Sequence, residues 1–450
     1  MSYQKQKIKP DFHMTDSAYH NGILTEYRQS YEEGLDIEKY KDLFQAVGKM
    51  DNDEYKAEIA DVLYRIIENA DIRKDYPYNE PSDLENIRTL RSPYPFEKKI
   101  LTDENALYEK ILGAWYGRIC GCILGKPAEG TKSRELTQFL KDADNYPMHR
   151  YICRPDIKYK STIRTSCLAD EMQFAPWDDD TNYVVLAQIL IEKYGRDFTP
   201  KNIMELWVER QPLPSYYTAE KTALLNYTRG YQPPYSAMYQ NPYREWIGAQ
   251  IRGDYFGYIN PGEPEKAAEM AWKDASISHI KNGIYGEMFV SAMLACAAVT
   301  DNIKDIIFGG LAEIPATSRL YESVARLIKR YDEGISQEDA FADIHAVWND
   351  YDGHDWCHTI SNALIVIASL LYGKGDFGKS ICMAVETGFD TDCNGATVGS
   401  VLGMMLGNQG IPEYWKAPTH GILDTTIAGA EKSEIAELAR KTMNHLKKEC

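Results

Sequence analysis

Apolar and polar positions follow a helical period along most of this chain. In IEKYKDLFQAV and EYKAEIADVLYRIIENA the apolar residues recur three and four positions apart, which predicts helices within residues 1–100. The proline-bearing stretch DIRKDYPYNEPSDLENIRTLRSPYPF breaks that period and reads as a linker or wrapping loop. From about residue 103 helical runs follow one another: ALYEKILGAWYGRICGCILG, TNYVVLAQILIEKY, PEKAAEMAWKDA, GIYGEMFVSAMLACAAV, SRLYESVARLIKRY, HTISNALIVIASLLYG, FGKSICMAVETG and NGATVGSVLGMML. A Tyr- and Pro-rich segment, roughly 211–260, predicts irregular structure between them. Alternating strand patterns are few. The expectation is an all-α protein, with a helical extension and linker over 1–102 and a large all-α domain over 103–450.

Two of these runs carry glycine at every fourth position: Gly113, Gly117, Gly121 and Gly125, then Gly395, Gly399, Gly403 and Gly407. A helical glycine costs about 1 kcal/mol relative to alanine, so four in one helix need compensation. Spacing of four sets them on nearly one face and leaves a groove that another backbone can approach. The expectation is two central, closely packed helices, and tight packing alone accounts for the pattern. Glu129 follows the first stripe, and Asp390 and Asp392 open the second.

With 450 residues, 44% of them apolar, the chain can bury a sizeable core. The formal net charge of −17 lacks the basic footprint that nucleic acid or an anionic membrane requires. No run approaches the roughly 20 apolar residues of a membrane span. The N-terminal MSYQKQKIKPDFHMTDS has no apolar core of a secretory signal. The nine cysteines are an odd number without metal-ligand spacing, and apart from Cys393, which sits in an acidic cluster, they read as reduced, buried residues of a cytoplasmic protein.

The candidate chemistry lies in two acidic clusters more than 200 residues apart, Asp178-Asp179-Asp180-Thr181 and Asp390-Thr391-Asp392-Cys393. Each opens an apolar helix. One such cluster is ordinarily a capped helix start favoured by the helix dipole. Two brought together by folding place at least four carboxylates in one pocket, which suits hard divalent cations with oxygen ligands. Gly388 implies a tight turn that delivers the second cluster. Glu129 in GKPAEG, His279 and Asn282 in SHIKNG, His358 and Asn362 in CHTISN, and Arg252 in IRGDYF are further candidates. For these, solvent exposure, capping or local pairing (Arg252 with Asp254, for example) is the ordinary alternative.

The order GAWYGRICGCILGKPAEG, WDDDTNY, INPGEPEKAAEMAWKDASISHIKNGIYGEMF, GFDTDCNGATVGSVLG resembles the ADP-ribosylglycohydrolase family over roughly residues 103–410. That resemblance implies a single large orthogonal helical domain with a centre of two Mg²⁺ ions (Mn²⁺ being possible). It also implies hydrolysis of a ribosyl glycosidic bond in an ADP-ribosylated protein or a small ribosyl compound. Carried over, the metal ligands are Asp178, Asp179, Asp180, Asp390, Asp392 and Cys393. The catalytic residues are Glu129, Asp180 and Asp392. The carried-over substrate contacts are Glu129 and His279, to which Asn282, Gly388, Arg252 and His358 are added as the candidates read from the residues above. Three positions depart from the family pattern. Asp178 replaces a hydroxyl residue, Cys393 replaces a threonine, and Cys122 stands where relatives often carry Asp.

Other functions fit less well. Terpene cyclases also use aspartate-rich helices and Mg²⁺, but Asn182 stands where their motif needs a carboxylate. His354-Asp355 lacks the further histidines of a phosphohydrolase centre. A glycosidase for another ribosyl or nucleoside-type compound, and a non-catalytic ADP-ribose binder, remain as alternatives of a different kind.

Overall fold

A computed structural model describes residues 18–94, 103–159 and 163–446. The N-terminal 17 residues and the end of the expected linker, 95–102, lie outside that description. Two helices form the axis. The first, Glu104–Gly125, starts at Asp103, whose side chain accepts from the amides of Asn105 and Ala106. The second runs Thr391–Leu406. They lie antiparallel with their glycine stripes in register. A Cβ on Gly117 would collide with the carbonyl oxygen of Gly399, one on Gly121 with that of Gly395, and one on Gly113 with that of Gly403. The partner of Gly125 is Thr391, whose hydroxyl donates to the Gly125 carbonyl at 2.9 Å. Gly407 also lies against Gly113. With φ at +75° it ends the second helix instead of continuing it.

This register sets the end of the first helix beside the start of the second, and so the Glu129 loop beside Asp390 and Asp392. Further helices sheathe the pair. Every residue of Thr359–Gly373 is buried, and nearly all of Lys281–Ala297. Among the described residues the few alternating strand patterns reduce to one antiparallel pair, Ile422–Asp424 with Lys432–Glu434, in register Leu423↔Ser433. The Tyr- and Pro-rich segment is less irregular than its composition implies, because it holds Thr218–Thr228, Tyr235–Met238 and Asp254–Tyr258 between turns.

The N-terminal extension folds as helices Ile23–Glu32, Lys41–Gly48 and Glu54–Glu68 around a small apolar cluster of Ile23, Phe44, Val47, Ala60, Leu63 and Ile67. The described part of the linker carries one short helix, Leu84–Thr89, capped by Asp83. Buried ion pairs join the extension to the rest. Arg244 meets Glu26 at 2.7 Å and Glu33 at 2.6 Å, and Arg319 meets Glu80 at 2.9 Å. Among the described residues no helix is long and apolar enough to cross a membrane.

Candidate metal centre

Asp178 is the N-cap of helix Asp179–Tyr194, accepting from the Asp180 amide at 3.0 Å. Thr181 completes the cap by donating its hydroxyl to the Asp178 carbonyl at 3.1 Å. Asp390 takes the N-cap position of the second striped helix. The chain reaches it through Gly388 (φ +83°) and Phe389 (φ +59°), two successive residues of positive φ. A side chain at 388 would also press on Asp350 and Ser133, so this turn needs its glycine. The Asp390 amide donates to Asn362 Oδ1 at 3.2 Å, and Cys357 Sγ donates to Asp390 Oδ2 at 3.4 Å.

The two clusters converge on Asp180. Ligand-capable atoms of Asp180, Asp392 and Cys393 lie within 4.8 Å of one another, and those of Cys122, Asp178 and Asp180 form a second group of the same span. One oxygen of Asp180 accepts from Arg118 Nη2 at 2.6 Å; the other is buried with no hydrogen-bond partner. Arg118 also donates to Asp254 at 3.1 Å. Lys126 pairs with Asp178, and Arg164 with Glu129.

Burial and mutual repulsion dominate the electrostatics. Asp179 is driven well above the usual carboxylate range by burial and then by Asp178 and Asp180. Asp180 goes the same way, burial and the charges of Asp178 and Asp392 outweighing Arg118. Burial likewise raises Asp390, with Asp392 adding to it, and raises Asp392, with Asp178 adding to it and a hydrogen bond to Asp390 offsetting part. Glu129 is pushed up to about 9 by burial, then by Asp392 and Asp178, and Arg164 offsets only part of this. Asp178 alone is lowered, because Lys126 and its hydrogen bonds overcome its burial. Burial and the surrounding carboxylates push the Cys393 thiol far up. Crowded carboxyls that cannot all ionise, with a bare buried oxygen at their centre, fit a divalent cation. The donors are hard carboxylate oxygens, with the thiols of Cys122 and Cys393 at the margin.

Folding thus gathers Asp178, Asp180, Asp392 and Cys393, with Glu129 facing Asp392 and Asp178. Asp179 sits half-buried on the same first helical turn. The other expected site residues lie in buried networks. Arg252 is held by Asp274 at 2.5 Å, Glu220 at 2.8 Å and Glu287 at 3.5 Å; the pairing expected with Asp254 is instead made by Arg118. His279 bonds Ser278 through Nδ1, and its Nε2 has no hydrogen-bond partner. Asn282 donates to Glu80 and Glu245 and accepts from the Leu320 amide. His358 caps helix Thr359–Gly373, accepting from the Ile360 amide at 3.1 Å. All four are buried. The cations Arg118, Lys126 and Arg164 escape a reading of the sequence. Arg118 alone leaves a signal there, as the single charge inside an apolar glycine-striped run.

A profile of the ADP-ribosylglycohydrolase family matches residues 103–450. No curated protein matches. A solved structure described as an ADP-ribosylglycohydrolase-related protein complex superposes with a TM-score of 0.47 at 16% identity, over 76% of this chain and 99% of its own. The profile match takes in both acidic clusters, both glycine stripes and most of the chain, which belongs to the ADP-ribosylglycohydrolase family.

Proposed function

We propose that this chain removes ADP-ribose from an N- or O-linked acceptor by metal-dependent hydrolysis of the ribosyl bond. Family membership supports glycohydrolase activity on ADP-ribose-related compounds. The observation that carries the metal dependence is Asp180, shared between two groups of ligand-capable atoms and left with one bare buried oxygen. Asp178, Asp179, Asp180, Asp390, Asp392 and Cys393 would hold two Mg²⁺ ions, with Mn²⁺ as a substitute. Such ions, when bound, supply a water of lowered pKa and a grip on vicinal ribose hydroxyls.

The chain's own groups divide the remaining work. Cleavage at a ribosyl C1 passes through an oxocarbenium-like state that needs a proton for the leaving group and a base for the water. Glu129 holds a proton well above the ordinary carboxylate range and gives it to the departing acceptor atom; Arg164 orients it. With ions bound to keep them ionised, Asp180 or Asp392, from opposite clusters, would take the proton of the attacking water. Arg118 fixes Asp180, and Lys126 balances the extra charge of Asp178. Gly388 shapes the approach, while His279, Asn282, Arg252 and His358 support the walls from their buried networks.

The test is product analysis by mass spectrometry. The protein is incubated with Mg²⁺ and arginine-linked, serine-linked and free ADP-ribosyl compounds plus simple nucleosides, against an Asp180→Ala/Asp392→Ala control. Free ADP-ribose from the wild type alone supports the reading and names the linkage. Turnover confined to nucleosides would move the substrate to another ribosyl class. No turnover of any ADP-ribosyl compound would overturn the ADP-ribose assignment.

A further inference from the structure

We propose that the N-terminal extension is a positioning element of the metal centre, acting through Arg28 and Glu32 on the loop 349–358. This rests on the reading above for its effect on turnover, but the physical linkage can be tested apart from it. The extension lies outside the family match, which begins at residue 103.

The loop touches the centre at three points. Asp350 accepts from the Ser133 amide at 2.6 Å and from its hydroxyl at 3.0 Å, fixing the segment just after Glu129. Its carboxylate also abuts Gly388, in the turn that delivers Asp390. Cys357 donates to Asp390 itself at 3.4 Å.

On the loop's other side stands helix Ile23–Glu32 of the extension. Arg28 meets Asp355 at 2.5 Å and Asp352 at 2.9 Å, and also braces Glu32 at 2.9 Å. Glu32 in turn faces His354 and His358, its Oε2 lying 3.3 Å and 4.0 Å from their Nε2 atoms.

The two histidines have determined tautomers. Trp246 Nε1 can only donate, and it bonds His354 Nδ1 at 3.0 Å. The Ile360 amide can only donate, and it bonds His358 Nδ1 at 3.1 Å. Each neutral ring therefore carries its proton on Nε2, aimed at Glu32. No Nε2 lone pair remains for a metal, so this carboxylate–dihistidine group is a clamp and not a second ion site. His358 Nε2 has no hydrogen-bond partner in range and relies on the charge of Glu32. Removing that carboxylate leaves two buried N–H groups facing nothing, and the loop loses its hold.

The test uses the full chain with Glu32→Ala, Arg28→Ala and Glu32→Gln, beside Leu63→Ala in the extension's own apolar cluster as a destabilised comparison. Amide hydrogen exchange is read at Ser133, bonded to Asp350, and at Asp390, in the turn behind Cys357. The expected result is exchange at both amides about tenfold faster in Glu32→Ala and Arg28→Ala. Turnover falls about tenfold with KM little changed. Glu32→Gln, which keeps an oxygen for the His354 proton, recovers part of both. Leu63→Ala loosens residues 19–70 and leaves both amides and turnover near wild type. Exchange at Ser133 and Asp390 within twofold of wild type in Glu32→Ala, or the same increase in Leu63→Ala, would overturn the proposal. A wild type without turnover would defeat the proposed activity, and the exchange comparison would still decide this linkage.

Discussion

Asp180 gives one oxygen to Arg118 and leaves the other unpartnered. An Asp180→Asn variant keeps the shape but removes the charge shared by both groups of ligands. Calorimetric titration with Mg²⁺ or Mn²⁺ is expected to show affinity down by about a hundredfold, the upper range seen when even outlying partners of a metal site are lost. The raised carboxyls give a second expectation, and its sign follows from linkage. Glu129 has an ordinary value of 4.5 and a folded value of about 9. Between them the folded chain keeps a proton that the unfolded chain releases. The contribution of Glu129 to stability is therefore full below pH 4.5 and is lost as pH rises toward 9. Asp179, Asp180, Asp390 and Asp392 are shifted the same way. Without added cation the melting temperature should fall across this window; Glu129→Gln should flatten the slope, and saturating divalent cation should oppose it. A melting temperature that rises with pH in cation-free buffer would contradict this. The acidic runs were legible in the sequence because like charges side by side at a helix start demand an explanation. Their counter-charges were not, since Arg118 reaches Asp180 across 62 positions and Arg164 reaches Glu129 across 35. Nor can a sequence tell a buried Arg252 satisfied by three distant carboxylates from one that faces a ligand.

The glycine stripes fix how the two axial helices meet. Their spacing announced a close helix contact, and the structure adds the register: Gly117 against Gly399, with the two backbones touching. That register is what sets Glu129 beside Asp392, so packing and chemistry share one cause. Gly117→Ala inserts a methyl group where only the backbone carbonyl of Gly399 stands, and neither rigid helix can yield locally. The gain in helix propensity, about 1 kcal/mol, works against an overpacking cost of about 3 kcal/mol, so a net loss is expected. Gly353 offers the comparison, since nothing lies near its missing Cβ and alanine there should change stability by less than about 0.5 kcal/mol. Chemical denaturation of both variants tests the ranking, and equal stabilities would show that the stripe is not tightly packed. Gly407 marks the limit of pattern reading. It shares the period of four yet ends its helix, a difference set by backbone dihedrals that spacing does not encode.

At the scale of the whole molecule, family likeness and physical unity divide the chain differently. The profile begins at residue 103, where the sequence also changes character. Yet Arg244, deep in the matched region, takes both of its carboxylate partners, Glu26 and Glu33, from the extension, and Gln29 reaches Glu245 at 2.6 Å. A buried guanidinium without a counter-charge is strongly unfavourable, and breaking such a pair from one side costs about 3–5 kcal/mol. Neither partner has an evident tie to Arg244 in the sequence, where more than 200 positions separate them, so the extension reads there as an appendage. A double-mutant cycle separates the two views. Glu26→Ala should destabilise the chain by about 3 kcal/mol, less than the full loss because Glu33 remains. Arg244→Met in the Glu26→Ala background should recover much of that, since it removes the stranded charge and keeps the apolar volume. Additive effects of the two changes in urea denaturation would mean that the ion pair does not couple the extension to the domain. Strong coupling would mean that the extension and the family-matched region fold as one cooperative unit, with the extension supplying charges without which Arg244 would lie buried and unpaired.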